Sequence, residues 1–170
     1  FSEYDFSKTD VKKLLEGYTW LHLSGITPAL GTKCRDLILN CLKAAKEMNM
    51  TVSFDGNFRS TLWTWEEARD FCTLCLPYVN VLFGIEPYHI WKKEEDHSAG
   101  DVKDGIPFQP DFEQQEKVFQ AFADRYPNIK CIARHVRFAH SCSENSLMAY
   151  LWLNGKTYKS KRLTFHILDR

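Results

Sequence analysis

The sequence predicts an α/β fold: a mostly parallel sheet flanked by helices, with an antiparallel hairpin at its edge. Three observations carry this. Short apolar runs alternate with segments of helical period as far as Val136. Most of those runs end at glycine, asparagine or proline turn signals. Near the carboxyl end, Asn154-Gly155 separates two further strand-like runs. Alternating strands and helices imply parallel strands joined by crossover helices. An Asn-Gly pair supplies the positive φ angles of a two-residue hairpin.

The elements follow in order. Tyr18 to Leu23 (YTWLHL) is an apolar, aromatic run closed by Ser24-Gly25 and is expected as a buried strand. From about Thr32 to Met48, Leu37, Leu39, Cys41, Leu42, Ala45 and Met48 recur at near-helical spacing, with Thr32 as candidate cap. Thr51 to Phe54 is a second strand, ending in the turn-forming Asp55-Gly56-Asn57. Trp65 to Leu76 is expected as a helix, with Thr64 as N-cap, Glu66 and Glu67 in the first turn, and Pro77 ending it. Asn80 to Phe83 lies in a third strand, and Glu86 to Lys93 is expected as a short helix with Pro87 in its first turn.

Glu94 to Asp111 holds Gly100, Gly105, Pro107 and Pro110 among polar residues and is expected as a long loop. Phe112 to Tyr126 has Val118, Phe119, Phe122 and Ala123 on one helical face. Ile129 to Val136 is a fourth strand, Leu147 to Leu153 and Lys156 to Ser160 form the hairpin, and Leu163 to Leu168 is a last strand.

Composition narrows the function classes. The 170 residues are 44% hydrophobic, enough for a sizeable core, and the formal net charge is zero. That balance argues against a nucleic-acid partner, because Lys156 to Arg162 is a short, broken basic run suited to a solvated hairpin. No apolar run is long enough to span a bilayer, and no charged-then-apolar leader opens the chain. The six cysteines are scattered through apolar stretches, the pattern of reduced thiols in a cytoplasmic protein. Cys72 and Cys75 form a lone CxxC inside a helix and lack the second pair that zinc would need. His22 is expected as a satisfied core residue; His135 and His140 lack metal-ligand spacing; His89, His97 and His166 look incidental.

The strongest local signal is SFDGNFRSTLW, Ser53 to Trp63. A strand end presents Asp55, Asn57 and Arg59 together, and ligands of open parallel sheets bind outside the carboxyl ends of the strands. Arg59 offers a fork of donors for a carboxylate or phosphate, Asn57 can donate and accept toward hydroxyls, and Asp55 can accept from sugar hydroxyls or hold the loop. This combination points to an anionic, polyhydroxylated ligand. The alternative is an Asx-turn capped by Arg59. Ser24-Gly25 and Gly84-Ile85-Glu86 follow neighbouring strands and would face the same crevice. Trp63 and Trp65 are expected to pack, with Trp63 also as a wall of this ligand site. No G-x-S-x-G elbow is present, which argues against a hydrolase.

WLHLSGITPAL (Trp20 to Leu30), followed by VSFDGNFRSTLW, resembles the 2-keto-3-deoxygluconate kinases of the ribokinase-like (PfkB) family. The carboxyl end, ILDR (Ile167 to Arg170), is similar to the residues preceding that family's Gly-x-Gly-Asp segment. The resemblance implies ATP-dependent phosphorylation of a sugar acid with Mg2+. It implies that Arg59 pairs with the substrate carboxylate, that Asn57 lies near the transferred phosphate, and that Asp55 supports the loop. It places Asp169 at the entrance of a helix-terminal anion cradle, the catalytic base beyond Arg170, and the hairpin beside the adenine site. Residues 1–170 would then be the central portion of one incomplete kinase domain, leaving sheet edges and apolar surfaces to be covered, with homo-oligomers open to the full protein.

Two departures from the family stand out. Its Asn-x-x-Glu after the third strand is replaced by Gly84-Ile85-Glu86-Pro87, leaving Glu86 as an indirect magnesium contact. The strand toward the nucleotide site ends in Arg137-Phe138-Ala139, so that Arg137 could reach a nucleotide phosphate or pair with Asp124 or Glu144. The competing readings are a kinase of another sugar, such as fructose or a deoxy-keto-inositol, and a non-catalytic sugar- or nucleotide-binding protein.

Overall fold

The computed structural model describes residues 6–88, 102–103, 106–107 and 112–167. After a 3-10 turn at Phe6–Lys8 come α1 (Val11–Leu15), β1 (Trp20–Ser24), α2 (Ile26–Ala29), α3 (Thr32–Glu47), β2 (Thr51–Asp55) and α4 (Trp65–Cys75). A second 3-10 turn, Leu76–Tyr78, leads to β3 (Val81–Phe83). Then come β4 (Val102–Lys103), β5 (Ile106–Pro107), α5 (Phe112–Arg125), β6 (Cys131–Ala139), β7 (Glu144–Leu153), β8 (Lys156–Lys159) and β9 (Leu163–His166).

One sheet of seven strands runs in the order β1-β2-β3-β6-β7-β8, with β9 also paired to β7. The pairs β1–β2, β2–β3 and β3–β6 are parallel; those involving β7 are antiparallel. The α/β architecture expected from the sequence is therefore present. Each parallel step encloses a helix, because antiparallel neighbours can be joined by a tight turn and parallel ones cannot. Asn154 and Gly155 take positive φ at the β7–β8 turn, as an Asn-Gly hairpin requires.

Side-chain alternation divides the sheet. Val52, Phe54, Leu82, Ile132, Val136, Phe138, Met148, Tyr150 and Trp152 point to one face. There they meet Ile38, Leu42 and Ala45 of α3, Ala68, Phe71, Cys72 and Cys75 of α4, and Val118, Phe119 and Phe122 of α5. Asn80 joins the entrances of two strands: its Oδ1 accepts from the Val52 N–H at 2.8 Å, and its Nδ2 donates to the Asn128 carbonyl at 3.3 Å.

Several expectations need correction. Gly31, not Thr32, is the N-cap of α3; its φ of 137° suits glycine and makes Thr32 the first helical residue. β1 is an edge strand, so the run expected to be buried is half-exposed, and His22 points outward. β6 continues past Val136 to Ala139, because its full length pairs with a β7 that starts at Glu144. Glu86–Tyr88 form a turn, and the rest of the helix expected to run to Lys93 lies outside the described residues, as do His89 and His97. The long loop contains the small β4–β5 pair. Thr64 caps α4 as expected, in a full capping box with Glu67.

None of the six cysteines forms a disulfide; Cys34, Cys72 and Cys75 are buried, while Cys142 is exposed rather than sequestered. Burial pushes the Cys72 thiol up to about 12 and the Cys75 thiol well above its ordinary value, so the CxxC is an inert packing element. No helix among the described residues is long and apolar enough to cross a membrane.

Candidate functional site

The carboxyl ends of β1, β2 and β3 converge because their turns interlock. The Gly25 N–H donates to the Asp55 carbonyl at 2.7 Å. A Cβ at Gly25 would overlap the Gly56 carbonyl, and a Cβ at Gly56 would overlap the Glu86 carbonyl. Only glycine permits this three-layer stack of backbones. Tyr88, fully buried, lies beneath it, with its hydroxyl 3.1 Å from where a Gly56 Cβ would stand.

On this base the Asp55–Arg59 loop is shaped by its own side chains. Asp55 Oδ1 accepts from the Asn57 N–H at 3.0 Å, the Asx-turn anticipated from sequence. Asn57 sits at φ 39°, and its Nδ2 donates to Ser24 Oγ at 3.3 Å, tying the loop to β1. Arg59 does not cap the turn. It is exposed, and its Nη1 donates to the adjacent Phe58 carbonyl at 3.3 Å. Phe58 stacks edge-on against Trp65 at 5.1 Å.

These residues line an open cleft of about 810 Å³. Asp55, Asn57, Phe58, Arg59 and Trp65 form one wall. Phe83, Gly84, Glu86, Arg134 and His135 are on the other side. Asp55, Asn57, Arg59 and Glu86 are thus brought together. The aromatic wall is Trp65, not Trp63, which is 5% exposed and packed in the core with Arg35 over its ring. Arg137 lies outside the cleft and donates through Nε to Asn145 Oδ1 at 2.8 Å, rather than to Asp124 or Glu144. Asp169 lies outside the described residues.

One functional candidate escaped sequence reading. Arg134, 6% exposed, rises from the covered face of β6. Its Nη2 meets Glu86 Oε1 at 2.6 Å, and its Nη1 donates to Gln115 Oε1 of α5 at 2.7 Å. Glu86 Oε2 accepts from the Ile85 N–H at 3.3 Å. A cation in an apolar strand was the available signal, since a buried charge requires a partner. Its partners lie far off in sequence. Glu86 is therefore occupied, and no group of three metal-ligating side chains gathers among the described residues.

The fold has close relatives. With a TM-score of 0.80 and 31% identity, it matches the 2-dehydro-3-deoxygluconokinase of Thermotoga maritima, covering 99% of this chain and 48% of that one. A PfkB family carbohydrate kinase from Listeria grayi matches with a TM-score of 0.76 and 27% identity, over 98% of this chain and 47% of that one. The chain carries the PfkB carbohydrate-kinase fold. Within this chain, 73 residues are 40% identical to the 2-dehydro-3-deoxygalactonokinase of Haloferax volcanii, a stretch that is 43% of the chain and 23% of that protein. No family model matches the chain. The chain spans about half the length of the solved PfkB relatives above.

Proposed function

We propose that this chain supplies the acceptor-binding strand ends of an ATP-dependent sugar-acid kinase, acting on a 2-keto-3-deoxy sugar acid such as 2-keto-3-deoxygluconate. The observation that carries the reading is Arg59, an exposed guanidinium on the rim of a cleft whose floor already holds hydroxyl-binding groups. Support comes from the likeness to two kinases whose names specify 2-dehydro-3-deoxy sugar acids.

In this reading Arg59 pairs bidentately with the substrate carboxylate. Asn57, fixed by Ser24, directs its amide toward a hydroxyl or the transferred phosphate. Asp55 holds the loop and accepts from a sugar hydroxyl. Trp65 and Phe58 shield that wall from water, which strengthens every polar contact inside. The in-line proton acceptor is expected from the segment after Arg170. A magnesium ion bound directly by these side chains does not fit, since Arg134 occupies Glu86. The metal would arrive on the nucleotide, held by phosphates and water. Asp169 would stand at the entrance of the anion cradle, and Arg137 remains a candidate contact for a nucleotide phosphate.

A second reading, a sugar-acid-binding protein without turnover, is favoured by that same engagement of Glu86. The test is a phosphorylation assay of the natural polypeptide containing this chain, with 2-keto-3-deoxygluconate or its galactonate epimer, ATP and magnesium. Turnover on either acid, absent on fructose, supports the kinase. Binding without turnover moves the assignment to the second reading, and turnover on fructose alone removes the acid substrate.

A further inference from the structure

Arg134 stands where three elements meet beneath the cleft. It is buried, yet its guanidinium reaches the strand-end carboxylate of Glu86 on one side and Gln115 of α5 on the other. Gln115 is itself 1% exposed, so its amide oxygen is a fixed anchor and not a solvent-borne contact. Glu86 stays partly exposed, with 22% of its side chain accessible where it lines the cleft. Its second oxygen is turned back onto the Ile85 N–H. Each carboxylate oxygen therefore has a protein partner, while the side chain still lines the cleft.

We propose that Arg134 is a positioning residue: it locks the Glu86 carboxylate, and with it the Gly84–Glu86 turn, into one orientation toward the cleft ligand, using Gln115 as its anchor. The physical reason is pre-organisation. A carboxylate on a flexible stem must be ordered when a ligand arrives, and one already fixed by a charge-assisted hydrogen bond need not be. Gly84, with φ at 79°, ties the start of that turn to β6 by donating its N–H to the Ala133 carbonyl at 2.8 Å, and the Arg134 clamp adds a side-chain restraint at Glu86. As a role in catalysis, the proposal rests on the kinase reading; as a statement about the turn, it does not.

The experiment separates the two. Hydrogen exchange is followed at the Ile85 amide, with the Leu82 amide as core reference, in the natural polypeptide and its Arg134→Met, Arg134→Lys and Gln115→Met variants. Arg134→Met is expected to speed exchange at Ile85 at least tenfold relative to Leu82. Arg134→Lys is expected to recover part of that protection, because an ammonium reaches Glu86 or Gln115 but matches the guanidinium at neither pair. Gln115→Met should fall between. Equal acceleration at Ile85 and Leu82 would mean general destabilisation and would overturn the proposal, as would unchanged exchange at both. Kinetics are then read on 2-keto-3-deoxygluconate with MgATP. Arg134→Met should lower kcat tenfold or more while KM for the acid moves less than threefold, and adding Glu86→Gln should cost nothing further. Multiplicative losses in the double variant would overturn the positioning role. A wild-type protein inert on every sugar acid would remove the kinase reading and leave the exchange result to decide the clamp.

Discussion

The two faces of the sheet solve different problems. On the covered face, Phe54, Leu82 and Ile132 are fully buried against three helices. The opposite face carries Trp20 at 55% exposure, Phe83 at 39% and Leu151 at 36%. Register places Ser24, Asp55, Phe83, Ala133 and Leu151 in one row across that open face. A second row runs His22, Ser53, Val81, Cys131, Leu153. Ser53 Oγ accepts from Trp20 Nε1 at 2.9 Å and bonds His22 Nδ1 at 2.8 Å, so even its buried polar atom is satisfied. The covered face holds the fold together; the open face carries Asp55, Phe83 and Ala133 to the edge of the cleft.

That contrast can be broken in graded steps. Phe54→Ala should cost about 3–5 kcal/mol in denaturant melts, through lost burial plus a cavity. A loss below about 1 kcal/mol would show that the covered face is not the stabilising one. Gly56→Ala should cost about 1–3 kcal/mol, since the new methyl meets backbone and not a flexible side chain. If its melting point stays at the wild-type value, the three strand-end turns do not interlock as described. Leu151→Ala on the open face should change stability by less than about 0.5 kcal/mol.

A pH series sharpens the comparison from the covered side. Burial lifts Cys72 from 9.0 to about 12, so the folded state keeps a proton that the unfolded state has lost. The stabilisation is complete below the unfolded value and is lost as pH rises between about 9 and 12. Cys72→Ala should flatten that part of the stability curve. In the folded protein, exposed Cys142 should be alkylated well before Cys72 or Cys75.

Legibility followed the same division. The β2 strand and its Asp55–Arg59 turn were readable because strand, turn and side-chain chemistry sit within a few consecutive residues. Thr64 and α4 were readable from a local cap. His22 and Trp20 were misjudged, since an apolar run cannot say which sheet edge it will occupy. The apolar pattern of β6 stops at Val136, before Arg137, whereas pairing with β7 carries the strand on to Ala139. Trp63 packs as expected, but the cleft wall falls to Trp65, because two residues at the helix entry turn one side chain inward and the other toward the cleft. Arg134 was invisible because Gln115 and Glu86 reach it only in three dimensions.

The most direct test of the central claim is calorimetric binding of 2-keto-3-deoxygluconate to the natural polypeptide and to its Arg59→Ala variant, beside the neutral sugar fructose. A charge-assisted pair is worth ~1.5–3 kcal/mol, so Arg59→Ala should weaken acid binding by roughly tenfold to over a hundredfold and leave neutral-sugar binding, if any, unchanged. Equal losses for both ligands, or none for the acid, would contradict a carboxylate-binding role for this strand end.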